Sequence, residues 1–145
     1  MPKPDPALLD PARYPFSCAI DPRFTDLDFH HHVNNAALAD ILQEGRIRFH
    51  RASAFDKALD DNDISSMLVS LSIEFLGQAR HLHPLDNHLA ALSVGGSSHT
   101  LGQLVTQQGT IIAYAQAVLV CVKDSQPMKN PPSFIESLSK WTLKP

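Results

Sequence analysis

Residues 26–54 read DLDFHHHVNNAALADILQEGRIRFHRASA, and the arrangement of the remaining chain depends on this stretch. It starts as a polar loop and then takes on a helical pattern, in which apolar residues recur every three or four positions and charged residues occupy the opposite side. The apolar positions are Leu38, Ile41, Leu42, Gly45, Phe49 and Ala52, and the charged positions are Asp40, Glu44, Arg48 and Arg51. The pattern predicts an amphipathic helix from Asn35 to about Ala54, with Asn34 and Asn35 as good N-cap residues.

One residue on the apolar side of this helix is unexpected. Gly45 lies in the helix interior, where glycine costs about 1 kcal/mol relative to alanine. We therefore expect another element, such as a tightly packed sheet, to approach the helix closely at Gly45. On the charged side, Glu44 and Arg48 have a favourable i,i+4 spacing.

The segments on either side of the helix have the pattern of β-strands. Phe16 to Asp21 alternates between apolar and polar residues, which is typical of a half-buried strand. Four strand-like runs follow the helix, separated by turn residues: Met67 to Leu76, His88 to Val94, His99 to Gln107 and Thr110 to Lys123. We expect these four strands to be antiparallel and consecutive, and the last, almost wholly apolar, to be covered on both faces. A polar, acidic stretch from Asp56 to Asp63 precedes them.

Both ends of the chain are rich in proline, which predicts loops or short arms over residues 1–15 and 124–145. In the second arm, Ser133 and Glu136 have capping-box spacing ahead of apolar residues, which predicts a short closing helix. A chain of 145 residues is about one domain long. The order of elements predicts a single α+β domain over residues 1–145, in which an antiparallel five-stranded sheet wraps around one long helix.

Composition excludes several classes of protein. Hydrophobic residues make up 43% of the chain, which is enough for one core. Lys and Arg number 12 against 15 Asp and Glu, without a basic cluster, so we expect no nucleic-acid partner. Residues 1–14 contain no apolar run, so neither a signal peptide nor a membrane span is expected. We interpret Cys18 and Cys121 as buried thiols in a reducing compartment and expect a cytoplasmic protein.

The loop before the helix carries the densest group of polar residues: Asp26, Asp28, His30, His31, His32, Asn34 and Asn35. A helix N-terminus presents unpaired backbone N–H groups and the positive end of a dipole, which stabilise an oxygen that gains negative charge. A carboxylate and imidazoles just upstream can activate water beside it. Adjacent histidines rarely point to one ion and no zinc-like spacing is present, so we predict no metal or other cofactor. The absence of a Gly-x-Ser-x-Gly motif disfavours a serine hydrolase.

Three short motifs in the chain resemble the signature of the hotdog-fold thioesterases of the 4-hydroxybenzoyl-CoA thioesterase type. They are RFTDLD at 23–28, HVNN at 32–35 and EGR at 44–46. The combination of Asp-Leu-Asp with His-Val-Asn-Asn is also similar to the plant acyl-carrier-protein thioesterases. The resemblance covers nearly the whole chain. It implies a hotdog domain that hydrolyses an acyl-CoA or related thioester, forms a homodimer or homotetramer with the site between subunits, and needs no cofactor.

The resemblance also implies roles for individual residues. Asp28 is expected to be the catalytic carboxylate, either as general base on water or as nucleophile on the thioester carbonyl. Backbone N–H groups near Asn34 and Asn35 are expected to polarise that carbonyl, with His30 and His32 as further catalytic residues. Substrate contacts are expected at Asp26, Glu44, Ser97 and Ser98. On charge alone, candidate contacts to the coenzyme phosphates are Arg80, His81, Lys123 and Lys129.

The chain departs from the family pattern at four positions, which hold His30 for Asn, His31 for Gly, Leu38 for Tyr and Gln43 for Glu. The change at His31 matters more if that position requires a positive φ. The plant-like motif leaves an acyl-carrier-protein thioesterase open as an alternative function. The departures leave a second alternative open, a hotdog module that binds acyl thioesters without cleaving them or serves only as a structural partner.

The residues also allow purely structural interpretations. Asp26 or Asp28 can order the loop, Asn34 and Asn35 can cap the helix, and Ser97 and Ser98 can form a turn. Glu44 and Arg46 can belong to a solvated helix face or form an interface pair.

Overall fold

The computed structural model describes residues 3–145, so Met1 and Pro2 of the predicted N-terminal arm lie outside the described residues. The helices are α1 (Asn35–Ala52), α2 (Phe55–Asp61) and α3 (Pro132–Ser139). The strands are β1 (Phe16–Ile20), β2 (Ser65–Phe75), β3 (Leu85–Val94), β4 (Ser98–Gln107), β5 (Thr110–Lys123) and β6 (Gln126–Pro127). None of the helices in this part of the chain combines the length and hydropathy needed to cross a membrane.

Helix α1 forms where the sequence predicts it. Asn34 is its N-cap, because its Oδ1 accepts hydrogen bonds from the backbone N–H groups of Ala36 (2.8 Å) and Ala37 (3.2 Å). The helix ends at Ala52 because Ala54 has a left-handed φ of 59°, which an α-helix cannot continue. Its buried residues are Ala37, Leu38, Ile41, Leu42, Gly45, Arg46 and Phe49. Ala52 was expected on the buried side and is exposed.

The acidic stretch at 56–63 was not expected to be helical, but most of it forms α2. Phe55 and Ala58 are buried on one side of this helix, three positions apart. On the exposed side, Lys57 and Asp61 form an i,i+4 ion pair with an N–O distance of 2.7 Å. Burial of Phe55 and Ala58 therefore stabilises this helix, which the acidic composition of the stretch did not predict.

The strands form one antiparallel sheet in the order β1-β3-β4-β5-β2, and the two-residue β6 pairs with β5. The five-stranded antiparallel sheet around one long helix is confirmed, and the chain has the hotdog arrangement. Consecutive pairing is correct for β3, β4 and β5 but wrong for β2, which pairs with β5 at the far edge. No tight turn joins β2 to β3. Residues 76–84 connect β2, at one edge of the sheet, to β3, which lies next to the opposite edge.

The sheet approaches α1 closely at Gly45, as predicted. A Cβ atom added there would lie 2.9 Å from Oδ1 of Asn87 on β3 and 3.3 Å from its Cγ, which is closer than real Cβ atoms normally come. Around this contact, helix residues Leu42 and Phe49 are fully buried against the sheet. The absence of a side chain at residue 45 therefore lets the helix and β3 pack together.

The two arms contact each other on the other side of the sheet. Tyr14 is buried and its hydroxyl donates to the carbonyl of Leu8 (2.7 Å). Arg13 Nε donates to the carbonyl of Lys144 (2.9 Å), and the N–H of Lys144 donates to the carbonyl of Arg13 (2.7 Å). The hydrogen bonds between Arg13 and Lys144 thus join the two arms.

Two smaller predictions need correction. Helix α3 is capped by Pro131 without a side-chain hydrogen bond, so the predicted Ser133 capping box is absent. Proline is favoured at the first helical position, and Pro132 moves the start of the helix to a point ahead of Ser133. Cys121 is buried as predicted, but Cys18 is only half-buried, and both are free thiols.

Candidate active site

Residues 27–33 form a small hairpin immediately before α1. Leu27 pairs with Val33, the N–H of Asp28 donates to the carbonyl of His32 (2.9 Å), and the N–H of His31 donates to the carbonyl of Asp28 (3.0 Å). The turn requires a φ of 63° at His31. A residue other than glycine is strained there by about 1 kcal/mol, so the departure from the Gly of the family pattern has an energetic cost.

The hairpin orients the carboxylate of Asp28. Its Oδ1 accepts hydrogen bonds from the backbone N–H groups of His30 (2.9 Å) and His32 (3.2 Å), while no described residue bonds to its Oδ2. Burial raises the pKa of Asp28, but the two backbone N–H groups and the neighbouring imidazoles outweigh it, and the pKa lies below its ordinary value. Asp28 is therefore ionised at neutral pH with one oxygen available to a ligand.

One backbone donor remains at the start of α1. The N–H of Asn34 donates to the carbonyl of Asp26 (2.8 Å), and the Asn34 side chain caps the two N–H groups that follow Asn35. Within the first turn, the N–H of Asn35 has no acceptor in the described chain. Of the backbone N–H groups expected to polarise the carbonyl near Asn34 and Asn35, the N–H of Asn35 is therefore the available donor. Asn34 acts as the helix cap.

Asp28, His32 and Asn35 line one cavity of about 390 Å³. The other residues that line it are mostly of apolar type and include Leu38, at a position where the chain departs from the family pattern, and Phe75 at the end of β2. We call it the Asp28 cavity.

The side chain of His30 does not belong to the Asp28 cavity. It is exposed and packs against the ring of Phe29, with 4.1 Å between ring centroids. His30 therefore hydrogen-bonds to Asp28 through its backbone N–H, and no described contact of its side chain supports the expected catalytic role. Among residues 3–145, no three His, Cys, Asp or Glu side chains are arranged to hold a metal ion.

Asp26 has a different role from Asp28. Its Oδ1 pairs with Arg23 Nη2 at 2.9 Å, and its Oδ2 accepts from the Arg23 backbone N–H at 2.7 Å. The hydrogen bond from the Arg23 guanidinium holds the pKa of Asp26 below its ordinary value, although burial opposes this. Because both oxygens are engaged in the loop, Asp26 orders the loop and does not fit the expected substrate contact.

The other expected substrate contacts lie away from the Asp28 cavity in one chain. Glu44 pairs with Arg48 at 3.0 Å on the outer side of α1, as its spacing predicts. Ser97 and Ser98 form the β3–β4 turn, where the N–H of Gly95 donates to the carbonyl of Ser98 (2.8 Å). Ser98 pairs with residue 120 of β5, eight residues along the strand from the cavity wall at 112, which is roughly 25 Å.

The basic residues suggested for coenzyme phosphates are also divided. Arg80 forms a bridge with His32 and, with His81, lies beside the hairpin. Lys123 ends β5 at the other end of the sheet, and Lys129 follows it in the C-terminal arm. One chain therefore does not bring these four residues together.

The sequence interpretation missed a polar cluster between α1 and the sheet. Arg46 is only 6% exposed, and its Nη1 donates to Gln103 Oε1 on β4 (2.9 Å). One turn further along α1, His50 Nε2 lies 3.2 Å from His99 Nε2. Of the two alternatives considered for Arg46, the solvated helix face is wrong, because Arg46 is buried within one chain, and the interface pair stays a prediction. A signal was present, because Arg46 falls between apolar positions of the helix.

Comparison with known proteins identifies the family. A family model described as the thioesterase-like superfamily matches residues 22–142, which span the hairpin, α1, every later strand and α3. The chain belongs to the thioesterase-like superfamily. Thioester hydrolysis is the activity of this family, and the protein is an enzyme of that class. None of the curated proteins compared with the chain matches it.

Several solved structures have a fold similar to that of this chain. A thioesterase from Thermus thermophilus, in complex with coenzyme A and Zn, has a TM-score of 0.78 and 24% identity, covering 88% of this chain and 94% of its own. The probable thioesterase YbaW from Escherichia coli has a TM-score of 0.77 and 23% identity, and the match covers 87% of this chain and 98% of YbaW. The 1,4-dihydroxy-2-naphthoyl-CoA thioesterase Slr0204 from Synechocystis has a TM-score of 0.75 and 16% identity, and the match covers 86% of this chain and 95% of Slr0204. These similarities show that this chain and the three structures have the same fold.

Proposed function

We propose that the protein hydrolyses acyl-CoA or closely related acyl thioesters to a free acid and a thiol, and that the Asp28 cavity is the reacting centre. One observation carries this proposal: an ionised carboxylate with a free oxygen and an unpaired backbone N–H at a helix N-terminus line the same cavity. A thioester placed between them would direct its carbonyl carbon to Asp28 and its oxygen to the N–H of Asn35. Because that oxygen gains negative charge in the transition state, the N–H and the helix dipole stabilise the transition state more than the ground state.

Two forms of the reaction fit this geometry. As general base, Asp28 Oδ2 takes a proton from water while the water oxygen bonds to the carbonyl carbon, the C–S bond breaks, and the thiolate takes up a proton. As nucleophile, Asp28 Oδ2 bonds to the carbon itself, the thiolate leaves, and water then cleaves the acyl anhydride. Both forms require ionised Asp28, in agreement with its lowered pKa.

Asp28→Asn is the direct test, because the amide oxygen can still accept the hairpin hydrogen bonds while the basic and nucleophilic oxygen is lost. We expect kcat to fall by at least about 100-fold with the fold retained, because a general base typically accelerates a reaction by roughly 10² to 10⁴-fold. The matched control is His30→Ala, which removes an exposed ring from the same hairpin and should stay near wild type. Near-normal turnover by Asp28→Asn would remove Asp28 from the mechanism. Single turnover in ¹⁸O-water can identify the nucleophilic form, because ¹⁸O enters Asp28 only if an anhydride forms and water attacks its Asp28 carbon.

Coenzyme A is the carrier that we propose for the acyl group. The Thermus relative was solved with coenzyme A, and the Synechocystis relative is a CoA thioesterase. Turnover of one acyl chain on CoA and on carrier protein compares the two carriers, and we expect the higher kcat/KM with CoA. If no aliphatic or aromatic acyl-CoA releases thiol but several bind, the protein is a binding module.

We further propose that two copies pair through the free edge of β2. This strand ends the sheet, so among residues 3–145 no strand covers its outer side. Its exposed apolar side chains are Met67, Leu68, Val69 and Phe75. A long apolar edge favours pairing with another strand, whereas β1, at the opposite edge, has only five residues.

Two-fold symmetry makes this pairing relevant to the site. If the axis passes near Ser70, the middle of β2, the two strands run antiparallel and the Phe75 end of one copy faces the Ser65 end of the other. Phe75 lines the Asp28 cavity, so the second copy would close that cavity and the site would lie between subunits. A tetramer would require a further interface between two such dimers.

The oligomer is tested by placing a charge at this edge. Val69→Lys should halve the mass measured by light scattering and lower kcat, because two lysines would meet near the axis. Ser17→Lys, on the β1 edge, is the matched control and should change neither quantity. A wild-type monomer, or a Val69→Lys variant of unchanged mass, would overturn pairing through β2.

A further inference from the structure

A second cavity of about 390 Å³ lies between α1, α2 and β2, and we call it the Arg46 cavity. Its polar wall includes Arg46, His50 and Ser66, and its apolar wall includes Phe55, Leu68 and Leu119. None of these residues lines the Asp28 cavity. The Arg46 cavity is therefore a separate feature of a single chain.

Arg46 is a buried cation without a negatively charged partner. Its one side-chain hydrogen bond within the described chain is to the neutral carboxamide of Gln103, and no ion pair of the described residues includes it. A guanidinium carries five N–H donors, so several remain available on the cavity side. Removing a charge from water is costly unless a partner compensates it, and an anion in the cavity would be that partner.

The histidine pair adds a second donor to this wall. His99 Nδ1 is buried and has no partner among the described residues, so a proton on Nδ1 would be an unsatisfied buried N–H. The hydrogen-bond network therefore assigns the His99 proton to Nε2, from which it is donated to His50 Nε2. His50, as the acceptor, then carries its own proton on Nδ1, and its ring lines the cavity.

The remaining groups agree with an anionic ligand that has an apolar body. Ser66 Oγ is buried in the wall without a hydrogen-bond partner in the part of the chain described. Two charged residues, Arg51 and Asp56, also line the cavity, and Asp56 Oδ1 accepts the N–H of Lys57. Counting Arg46, the lining side chains carry two positive charges and one negative charge. The volume lies at the lower end of that of small-molecule sites.

We propose that the Arg46 cavity binds a carboxylate attached to a small apolar body, with Arg46 pairing with the carboxylate and His50 donating a further hydrogen bond. Arginine suits this role because its planar guanidinium bonds a carboxylate through two parallel N–H donors. The same chemistry has two sources, a free apolar carboxylic acid or the far end of an acyl thioester that carries a second carboxylate. The first is independent of the proposed hydrolysis, whereas the second rests on it.

The test measures binding of octanoate to the full-length protein by calorimetry at pH 7, with octanamide as the neutral ligand of the same shape. We expect octanoate to bind at least about tenfold more tightly than octanamide, because hydrogen bonds between charged groups are the stronger ones. Arg46→Met retains the apolar stem and should abolish the preference. Arg48→Met, an exposed arginine of the same helix, should keep it.

Two results would overturn the carboxylate site. One is equal binding of octanoate and octanamide by the wild-type protein, a result that does not depend on the folding of any variant. The other is a preference for octanoate that survives in folded Arg46→Met, which would locate the site elsewhere.

A second arm of the experiment distinguishes the two sources. Suberyl-CoA and octanoyl-CoA have acyl chains of equal length, and only the first ends in a carboxylate. A KM at least about tenfold lower for suberyl-CoA, lost in Arg46→Met, would assign the site to the substrate. Equal KM values with octanoate binding retained would assign it to free acids. Absence of thiol release from both thioesters would contradict the proposed hydrolysis while leaving the octanoate result to decide the site.

Discussion

Protonation of the histidine pair formed by half-buried His50 and buried His99 should make the protein lose stability between pH 7 and pH 5. Burial, followed by the charges of His99 and Arg46, lowers the pKa of His50 to about 3. Burial lowers the pKa of His99 to about 4. Both rings are therefore neutral in the folded protein at pH 5, whereas a histidine in the unfolded chain has a pKa near 6.5 and is charged.

The sign and size of the effect follow from proton linkage. Below pH 6.5 the unfolded state binds more protons than the folded state, so the free energy of unfolding falls as the pH falls. The stabilisation is complete above pH 6.5 and is lost progressively towards the folded-state pKa values. Each ring then costs about 2 kcal/mol between pH 7 and pH 5. Because the two rings share a hydrogen bond and titrate as a pair, we expect a combined loss of about 2 to 4 kcal/mol.

Urea unfolding at pH 7 and pH 5, at one protein concentration, measures this loss as a shift of the midpoint. His99→Leu removes one ring and should reduce the pH-dependent difference, whatever it does to the stability at pH 7. His83→Gln, which removes an exposed ring, should leave the difference unchanged. Equal midpoints at the two pH values, or a full difference in His99→Leu, would refute the reasoning.

Three further predictions concern the hairpin and the helix. His31→Gly should raise the free energy of unfolding by about 0.5 to 1 kcal/mol, because it removes the strain of φ 63°, whereas His30→Gly should not; chemical denaturation of both variants tests this. Gly45→Ala should destabilise by about 1 kcal/mol through its contact with Asn87, and Asn87→Ser should rescue it in a double-mutant cycle. The kcat/KM should not fall between pH 7 and about pH 5 through protonation of Asp28, because its pKa is lowered; a pH–rate profile with a midpoint near 6 that Asp28→Glu displaces would contradict this.

Residues 26–54 illustrate how far local pattern reaches in this protein. Apolar spacing, the Asn34 cap and the glycine at 45 predict α1 and its close contact with a sheet, and the structure has both. Alternation and turn residues locate the long strands to within a few positions. These signals are local, since they depend on backbone conformation and on which side of one element faces the core.

The hairpin shows what a motif leaves undecided. The two acids at 26 and 28 are both in the motif, but only the fold shows that Arg23 engages Asp26 while an oxygen of Asp28 stays free. Likewise, the polar sequence before α1 suggests several backbone donors, and the hydrogen bonds of the folded loop leave the N–H of Asn35 without a partner among residues 3–145. Hydrogen-bond partners distant in the chain decide which polar groups remain available for chemistry.

Burial and strand order were decided by the tertiary structure. Arg46 looked like a surface residue because arginine is rarely buried, yet the sheet covers it and Gln103 meets it across 57 positions of sequence. β2 was expected beside the next strand and instead lies at an open edge, where its apolar side chains are exposed. Periodicity shows which side of an element is apolar, but the neighbour that covers it depends on contacts between distant parts of the chain.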